Sequence, residues 1–316
     1  MIVSVVIIGY RGDPWLPKCI ASLKPDPRHE IQLLLVDNFD TPCLKSLRSE
    51  NLKTTIIKTP KPLGFAEANN FALVNGGLHS DVVVFLNQDT WSENQWIPVC
   101  ANLLESNREV CAVTPTIRQY DSDNHDPSFA ECLSHAAAAT SKTDWQRVVR
   151  APAAALAVRT STLKTTGPFD PIFGSYYEDY DLCHRLSQHG NIVVSNECWV
   201  RHFSGSATTT PEAQRKRMVQ IIRNRLIFEA RTCERSRMLR MGRYYLKDLP
   251  INILRGLLAT ESSQPIGVTL KANVEILKIM HRLLSGSCDK RKWEDYLTKV
   301  RWTTTCPPEP QTSKLH

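Results

Sequence analysis

The sequence predicts an α/β protein in which a mostly parallel central sheet is flanked by helices and followed by a helical C-terminal region. Over the first 115 residues, short runs of Val, Ile and Leu alternate with helix-like segments, as in strands joined by helical crossovers. Some of these runs are continuously apolar, which is typical of strands buried on both faces of a parallel sheet. From Pro211 onward the pattern is helical, with many Arg and Lys residues.

Five strands and three helices are predicted in the first 115 residues. The strands are Ile2–Ile8, Ile31–Val36, Thr54–Ile57, Val82–Leu86 and Val110–Thr114. The helices are Pro14–Leu23, Phe65–Val74 and Asn94–Leu104. Ligands of such sheets bind beyond the carboxyl ends of the strands. Asp37 and Asp89 follow two of the predicted strands and are therefore candidate binding residues.

The second part of the chain is less regular. Residues 117–150 are polar and turn-rich, which predicts a surface loop or flap. Residues 151–202 contain a small-residue apolar segment, a carboxylate cluster and two short predicted strands. The helical region that follows is interrupted at Gly256, Pro265 and Gly267, and the tail after Thr303 is predicted to be disordered.

The composition is that of an ordinary globular protein with a basic surface. The 316 residues are 42% hydrophobic and carry a net charge of +7. Such a charge suits nucleic acid, an anionic membrane or a phosphorylated substrate. The absence of zinc-finger spacing and of an RNA-binding aromatic motif disfavours nucleic acid.

The cysteines and the N-terminus favour a cytoplasmic protein. None of the ten cysteines forms a CxxC pair. The apolar N-terminus has no basic flank and no small-residue cleavage site, so it is interpreted as a buried strand rather than a signal peptide. We therefore expect reduced thiols. Because no run of 18 apolar residues is present, no transmembrane helix is expected.

Asn87-Gln88-Asp89 ends a predicted strand, where a carboxylate is well placed for a hard divalent cation. Mg²⁺ and Mn²⁺ prefer oxygen ligands and commonly bridge to diphosphate oxygens. The alternative is that Asp89 caps the next helix or turn. In the same way, Asp37 either accepts hydrogen bonds from a nucleobase or ribose, or forms a turn.

The segment Gly64–Asn70 opens a predicted helix. A glycine there lets a ligand approach the backbone, and the N-terminus of a helix favours phosphate. The segment contains neither GxGxxG nor a following GKS or GKT. Dinucleotide-binding and P-loop functions therefore lack their motifs.

Three carboxylates, Glu178, Asp179 and Asp181, stand together at the start of another predicted helix. Crowded carboxylates raise one another's pKa or bind a cation, and either property suits a general base. The alternative is an acidic helix N-terminus that interacts with the helix dipole, which fits Asp181 best. His202 ends a strand-like segment and is either structural or a metal ligand that meets Asp89 in space.

Taken in order, these segments resemble the GT-A-fold family 2 glycosyltransferases, and within them the bacterial rhamnosyltransferase-like branch. The resemblance covers roughly residues 1–230. The matching segments are Val3–Ile7, Leu35–Asn38, Gly64–Ala66 with Asn69 and Asn70, Leu86–Asp89, Gly167–Asp170, Glu178–Arg185, His202 and Arg223–Leu226.

The resemblance implies an activity and a domain organisation. It implies inverting, metal-dependent transfer of one sugar from a nucleotide-diphosphate donor to a saccharide or lipid-linked acceptor in surface polysaccharide synthesis. We expect dTDP-rhamnose as the donor, with a UDP-sugar as the alternative. The implied organisation is a GT-A catalytic domain at 1–210, a helical region at 211–303 and a disordered tail at 304–316. The nucleotide-sugar half of the catalytic domain is expected at about 1–115 and the acceptor half at about 116–210.

The resemblance also implies residue roles. Asp179 is the implied catalytic base, and Glu178 beside it would orient the acceptor or tune the base. Asp89 and His202 are the implied ligands of Mg²⁺ or Mn²⁺. The implied donor-binding residues are Asp37, Gly64, Asn69, Asn70, Asn87 and Asp89.

The sequence departs from the family pattern in three places. Gly9 stands where Asn is usual after the first strand, which changes the contacts expected beside the nucleobase. Asn87 stands where many relatives have Asp, which removes a carboxylate and increases the reliance on His202. The QxxRW motif of processive synthases is absent, so transfer of a single sugar is expected.

Two other functions stay open. A nucleotidyltransferase also uses carboxylate-bound metal, but it needs a Gly-rich basic loop after the first strand, and residues 9–13 are too sparse for one. A catalytically inactive nucleotide-sugar-binding protein would keep the same fold and turn nothing over.

The basic C-terminal region has two interpretations. It either rests on an anionic membrane, at the inner face of the plasma membrane where a lipid-linked acceptor would be found, or forms a solvated basic helix packed on the catalytic domain. The basic residues concerned are Arg215, Lys216, Arg217, Arg223, Arg225 and Arg231.

Overall fold

A computed structural model of the chain describes most of the first 284 residues. The described residues are 1–39, 41–45, 47, 51–134, 144–204, 210–232, 237–251, 253 and 266–284. They divide into two compact units. The first contains residues 1–174 and 178–204, and the second contains 175–177 and the described residues from 210 onward. The predicted tail and the predicted breaks at Gly256 and Pro265 lie outside the described residues. The break predicted at Gly267 is wrong, because this residue belongs to the helix Ile266–Leu284.

Within the described residues, the first unit contains one sheet of nine strands. The strands are β1 (Ile2–Tyr10), β2 (Glu30–Phe39), β3 (Lys53–Lys58), β4 (Val82–Leu86), β5 (Thr90–Trp91), β6 (Val110–Gln119), β7 (Trp145–Val148), β8 (Ala155–Arg159) and β9 (Asn191–His202). Their order is β3-β2-β1-β4-β8-β6-β9-β5, and β7 pairs with β9. Six of them, β1 to β4, β6 and β9, run in one direction. The predicted α/β fold with a mostly parallel central sheet is confirmed.

The helices of the first unit connect these strands. They are α1 (Leu16–Ser22), α2 (Phe65–Val74), α3 (Trp96–Ser106), α4 (Pro127–Ser134), α5 (Thr160–Thr166) and α6 (Glu178–Leu186). The second unit contains α7 (Pro211–Thr232), α8 (Arg237–Arg243), a π-helical turn (Tyr244–Asp248) and α9 (Ile266–Leu284). The three helices predicted in the first 115 residues are present as α1, α2 and α3, and the helical character predicted from residue 211 is confirmed for the described residues.

The sequence forms these strands because their side chains are apolar on both faces. All five side chains of β4 are buried, as are Val3, Val5, Val6 and Ile7 of β1. In the parallel register, Gly9 of β1 lies beside Asp37 of β2, and Ile7 lies beside Leu86 of β4. The carboxyl ends of β1, β2 and β4 therefore meet at one edge of the sheet.

The prediction of a loop or flap over residues 117–150 is wrong for much of that range. β6 continues to Gln119, α4 covers Pro127–Ser134, and β7 follows at Trp145–Val148. Thr116, Arg118 and Gln119 are polar and Ile117 is buried, and all four residues pair in register with residues 199–202. Backbone pairing, with only one buried apolar side chain, thus defines this end of β6. The same pairing makes the last twelve residues of 151–202 one strand, β9, in place of the two short strands expected there.

The seven cysteines among the described residues are free thiols. Six are buried in the first unit and Cys43 is half-buried. Burial raises the pKa of the Cys19 thiol to about 12. It also raises the pKa of Cys43 to about 11, where hydrogen bonding and charge from Asp13 add to the effect.

Candidate functional site

The end of β4 is fixed to its neighbours by backbone hydrogen bonds. The Asn87 N–H donates to the Ala154 carbonyl at 2.9 Å, just before β8. Two residues after Asn87, the carbonyl of Asp89 accepts a hydrogen bond from the Phe203 N–H at 3.0 Å. β5 begins at the next residue and pairs Thr90 with His202 of β9. This register carries the ends of β4 and β9 to the same place.

Asp89 and His202 face each other there. His202 Nε2 lies 3.5 Å from Asp89 Oδ1. Asn87 Nδ2 lies 3.2 Å from the same imidazole nitrogen. The side chains of both Asp89 and His202 are buried, with residue exposures of 5% and 9%. The two side chains thus meet in space, as the metal-ligand interpretation of His202 requires, and their role as metal ligands stays a prediction.

Asp126 holds the other nitrogen of His202 and was not predicted as a site residue. Its Oδ2 lies 3.1 Å from His202 Nδ1 and accepts a further hydrogen bond from the hydroxyl of Ser204. Its Oδ1 accepts from the N–H of Ser128 at 2.9 Å and from that of Phe129 at 3.4 Å, at the N-terminus of α4. Asp126 is completely buried. The sequence signal was an Asp followed by Pro and Ser, which is typical of a helix N-cap and carries no sign of the histidine 76 residues away.

The carboxylates of Asp89 and Asp126 change the pKa of His202, and His202 in turn changes the pKa of Asp126. Burial of His202 by itself lowers its pKa, but hydrogen bonds and charge from Asp126 and Asp89 outweigh burial and raise the pKa to about 9. Burial of Asp126 favours its neutral form, yet the hydrogen bond and charge of His202, with help from Ser128 and Ser204, bring the pKa of Asp126 well below its usual range. Asp126 is therefore ionised, and His202 donates Nδ1–H to it.

The residues at this point fit a divalent cation as a site with two protein ligands. Among the described residues, no group of three or more His, Cys, Asp or Glu side chains is arranged to hold a metal ion. Two ligands that meet one ion at right angles with bonds of about 2.1 Å lie about 3 Å apart, and Asp89 and His202 are 3.5 Å apart. Asp126 supplies the carboxylate partner that a metal-binding imidazole usually has at its second nitrogen. The remaining ligands would have to come from water or from the oxygens of a bound diphosphate.

Glu178 and Asp179 form the first turn of α6. Asp179 Oδ2 accepts a hydrogen bond from the Ala153 N–H at 3.4 Å, and Oδ1 accepts from the Tyr180 N–H at 2.9 Å. Burial raises the pKa of Asp179 to about 6, against the opposing effects of these hydrogen bonds and of Arg150. Burial and the charge of Asp179 raise the pKa of Glu178 well above its usual value. Glu178 Oε2 is buried without a hydrogen-bond partner in the described part of the chain.

Asp179 is linked through a short backbone segment to Asn87-Gln88-Asp89 at the end of β4. The two adjacent residues Ala153 and Ala154 connect them, since Ala153 bonds to Asp179 and Ala154 bonds to Asn87. A carboxylate of raised pKa thus lies across one short backbone segment from the end of β4. Asp181 has a different role, because its Oδ2 accepts a hydrogen bond from Arg185 Nε at 2.9 Å within α6.

Asp37, which is predicted to contact the nucleobase or ribose, lies at the end of β2. Asp37 is half-buried, its Oδ1 accepts from the Thr41 N–H at 3.0 Å, and Lys58 Nζ lies 3.8 Å from its Oδ2. The next residue, Asn38, exchanges two hydrogen bonds with the backbone of Leu63, both at 2.9 Å. The loop that leads to α2 is therefore fastened to the end of β2.

Gln88 fastens the end of β1 in a similar way. Its amide exchanges two hydrogen bonds with the backbone of Tyr10, at 2.9 and 2.8 Å. A Cβ atom placed on Gly12 would lie 2.2 Å from Gln88 Oε1, so a side chain at position 12 would disturb this arrangement. The middle residue of Asn87-Gln88-Asp89 thus shapes the loop after β1.

The predicted donor-binding segment at α2 is largely internal. Asn70 is completely buried and exchanges two hydrogen bonds with the backbone of Phe169, at 2.7 and 3.1 Å. Asn69 is also buried and donates to the Phe65 carbonyl. A Cβ atom on Gly64 would lie 3.1 Å from the Cα of Gly174, so this glycine makes room for another backbone segment. Their role in donor binding stays a prediction, and the geometry favours an indirect one that shapes the pocket wall.

The fold and the site define a class of protein. Structures that share this fold include GalNAc-T7 with UDP, GalNAc and Mn²⁺ (TM-score 0.57, 13% identity, 90% of this chain and 57% of that one). They also include TarS of S. aureus with UDP-GlcNAc (TM-score 0.53, 15% identity, 91% of each chain). A third is the mannosyltransferase PcManGT of Pyrobaculum calidifontis with GDP-Man and Mn²⁺ (TM-score 0.54, 12% identity, 97% and 88%). The chain has the GT-A fold of glycosyltransferases.

The particular family follows from the sequence match. The family described as Glycosyl transferase family 2 matches residues 4–160, so the first half of the chain is similar to family 2 glycosyltransferases. No curated protein sequence matches the chain. The chain spans little more than half the length of the GalNAc-T7 structure.

Proposed function

We propose that the protein is an inverting, metal-dependent glycosyltransferase that transfers one sugar from a nucleotide-diphosphate donor. The observation that carries the proposal is the buried pair Asp89 and His202, 3.5 Å apart, with Asp126 bonded to the second nitrogen of His202. Burying three ionisable side chains together is costly unless they serve one another or a ligand. The pair also lies at the carboxyl edge of the sheet, where ligands of this type of sheet bind.

The proposed cation site consists of Asp89 Oδ1 and His202 Nε2. A bound Mg²⁺ or Mn²⁺ would offset negative charge on the diphosphate that departs. Asp126 acts on this site by fixing the imidazole: while it accepts the Nδ1 proton, Nε2 points toward Asp89. Asn87, next to the same nitrogen, occupies the position of a carboxylate in many relatives.

Asp179 is the proposed catalytic base. It takes the proton of the acceptor hydroxyl while that oxygen forms a bond to the anomeric carbon of the sugar. The bond from the same carbon to the diphosphate oxygen breaks, the diphosphate leaves with the electron pair, and the configuration inverts. A pKa of about 6 leaves Asp179 ionised yet basic enough to accept a proton near neutral pH. Burial and the charge of Asp179 raise the pKa of Glu178, and Glu178 is proposed to orient the acceptor or to tune the base.

The donor is proposed from two lines of support. The resemblance to the rhamnosyltransferase-like branch favours dTDP-rhamnose, with a saccharide or lipid-linked saccharide as acceptor. Structures of similar fold that hold UDP or UDP-GlcNAc favour a UDP-sugar as the second candidate. Asp37 is the proposed nucleobase or ribose contact in either case, because it is half-buried at the end of β2. Without the QxxRW motif, transfer stops after one sugar.

The test is thermal stabilisation by UDP, dTDP and GDP, each with and without Mn²⁺. A ligand at one hundred times its dissociation constant adds about 2.7 kcal/mol to the free energy of unfolding. We expect a Mn²⁺-dependent shift with one of the nucleotides and its loss in Asp89→Ala. A shift with dTDP supports the rhamnose assignment, and a shift with UDP alone discards it. No shift with any nucleotide would contradict the proposed function.

Turnover separates the transferase from a binding protein. The nucleotide that stabilises the chain identifies the donor class, and release of that nucleotide from the matching sugar donor is then measured. Stabilisation without release of nucleotide in the presence of acceptor oligosaccharides would favour the binding protein.

A further inference from the structure

The second unit presents apolar side chains to solvent in unusual number. Ten large apolar side chains are exposed among the described residues. Seven of them belong to this unit, although it is much the smaller one: Met238, Leu239, Leu246, Ile251, Leu270, Val274 and Leu277. Concentrated exposure of this kind marks a surface that contacts a partner or a membrane.

The most exposed of these side chains belong to the helical segment 237–251. Met238 is 70% exposed, Leu239 67% and Leu246 85%. Leu239 and Arg243 are four residues apart in α8 and lie on one side of it, while Leu246 and Lys247 are exposed in the π-helical turn that follows. Met241 and Tyr244 are buried on the other side of the same segment. We call Met238, Leu239, Arg243, Leu246 and Lys247 the basic apolar face.

The excess of positive charge in the second unit favours a negatively charged partner for the basic apolar face. The described residues of the unit contain thirteen Lys and Arg against four Asp and Glu, while the whole chain has a net charge of only +7. Arg240 is paired with Glu229 and Asp248. Arg243 and Lys247 are exposed and form no ion pair with any other part of the chain that the structure describes.

We propose that the basic apolar face docks on the surface of an anionic lipid membrane. Interfacial helices combine exposed leucines, which enter the acyl boundary, with Lys and Arg that contact anionic headgroups. No helix among the described residues is long and apolar enough to cross a membrane, so the segment lies along the surface. This proposal does not depend on the proposed transferase activity.

Two other partners fit the face less well. A second copy of the chain, packed symmetrically, would bring Arg243 and Lys247 of both copies together, and like charges repel. Nucleic acid would bind the basic residues through its phosphates, but this binding would leave the exposed side chains of Leu239 and Leu246 without an apolar contact.

The experiment is co-sedimentation of the full chain with vesicles. Vesicles of phosphatidylcholine alone are compared with vesicles that contain equal parts of phosphatidylcholine and phosphatidylglycerol. We expect binding to the anionic vesicles only, with release when ionic strength rises from about 0.05 M to about 0.5 M. Each basic residue at the surface contributes about fivefold, so Arg243→Glu with Lys247→Glu should weaken binding by more than tenfold.

Matched variants separate the face from general charge and from folding. Leu239→Glu with Leu246→Glu should also weaken binding at least tenfold, because it removes the inserted groups. Val149→Glu places the same charge on an apolar position of the first unit that is 59% exposed, and it should bind vesicles like the parent chain. All variants alter exposed side chains, and an unchanged melting temperature checks that they fold.

Three results would overturn the proposal. The first is no binding to anionic vesicles, and the second is binding that neither double variant weakens. The third is an oligomer that the leucine variant dissociates while vesicle binding stays unchanged, which would make the face a contact between copies. The nucleotide-dependent thermal shift is measured on the same samples, so a failed transferase assignment is distinguished from a failed membrane assignment.

Discussion

The imidazole of His202 is oriented from the side opposite Asp89. Its Nδ1 bonds to Asp126, which is itself fixed by Ser128 and Phe129 at the start of α4. The carboxylate therefore has two functions at once, as the cap of a helix and as the partner of a histidine. Because Asp126 is buried and bonded to both α4 and His202, it positions His202 Nε2 relative to Asp89 without a ligand.

Substitution of Asp126 tests this orientation. Asp126→Asn keeps the size of the side chain but removes the charge that stabilises His202, and loss of such a partner typically lowers metal affinity 10- to 100-fold. We expect that loss for Mn²⁺ in the presence of nucleotide, measured by titration calorimetry. Asp123→Asn is the control, because Asp123 is an exposed carboxylate paired with Arg118 and Arg201. Equal Mn²⁺ affinity in the two variants would argue that Asp126 serves only as a helix cap.

The pKa of Asp179 predicts the pH dependence of turnover. The proposed base works only when ionised, so the rate should rise with pH and level off above about 6. Asp179→Asn should lower kcat about 10²- to 10⁴-fold and leave nucleotide-dependent stabilisation intact. A variant that retains the rise near pH 6 would show that another group is titrating.

The same pKa has an opposite effect on stability. The folded pKa of Asp179 is raised above the ordinary value of 3.8, so the folded state holds the proton more tightly than the unfolded state. This contribution to the free energy of unfolding is fully present below pH 3.8 and is lost as pH rises through about 6. Asp179→Asn should therefore stabilise the chain more at pH 7 than at pH 4, as measured by urea unfolding.

At the scale of elements, two clamps fix the segment between α5 and α6. The guanidinium of Arg185 in α6 donates to the carbonyls of Thr166, Gly167 and Pro168. Asn70 in α2 holds the backbone of Phe169 from the other side. Both clamps act just before the loop that leads to Glu178 and Asp179, so they position α6 without contact with the reacting groups.

Loss of the Asn70 clamp is expected to be destabilising. Asn70→Ala leaves the buried N–H and carbonyl of Phe169 without partners, which should cost about 2–4 kcal/mol of unfolding free energy. Asn75→Ala, at the C-terminal end of α2, is the control, because the Asn75 amide makes one hydrogen bond to the Phe71 carbonyl at a half-buried position. Its expected cost is about 1 kcal/mol. Equal losses in chemical denaturation would contradict the clamp.

The elements also show how far the sequence could predict this structure. β1, β2 and β4 were predicted because their apolar side chains are buried on both faces. The end of β6 was not, because Thr116 and Arg118 belong to a strand only through their pairing with β9. Asp126 escaped for the same reason, since its partner His202 is distant in sequence. Patterns within a window indicate burial, whereas pairing across the sheet is a tertiary property.

At the scale of the whole molecule, the two units differ in what they present to solvent. The first unit buries its apolar side chains in one core around the sheet. Among the described residues, the second carries most of the exposed large apolar side chains and an excess of basic residues. A sequence average conceals this contrast, because +7 over 316 residues is modest. The proposed chemistry and the proposed membrane contact thus belong to different units.

The buried thiols of the first unit predict slow chemical modification. Only a thiolate reacts with an alkylating reagent, and burial raises the pKa of Cys19 to about 12. We expect Cys19, Cys100 and Cys183 to resist iodoacetamide in the native protein and to react in urea, as measured by peptide mass spectrometry. Rapid labelling of these three residues under native conditions would contradict the packing described above.

Labelling of these buried thiols would report which parts of the first unit unfold first. Each buried cysteine belongs to a different element, namely α1, α3, β6, α4, α6 and β9. The time at which a cysteine is labelled therefore shows when its element becomes exposed to solvent. Pulses of reagent along a temperature ramp would show which layer separates first. A donor nucleotide bound at the carboxyl edge should delay labelling at Cys19, whose sulfur contacts the carbonyl of Asn87, more than at Cys100 in α3.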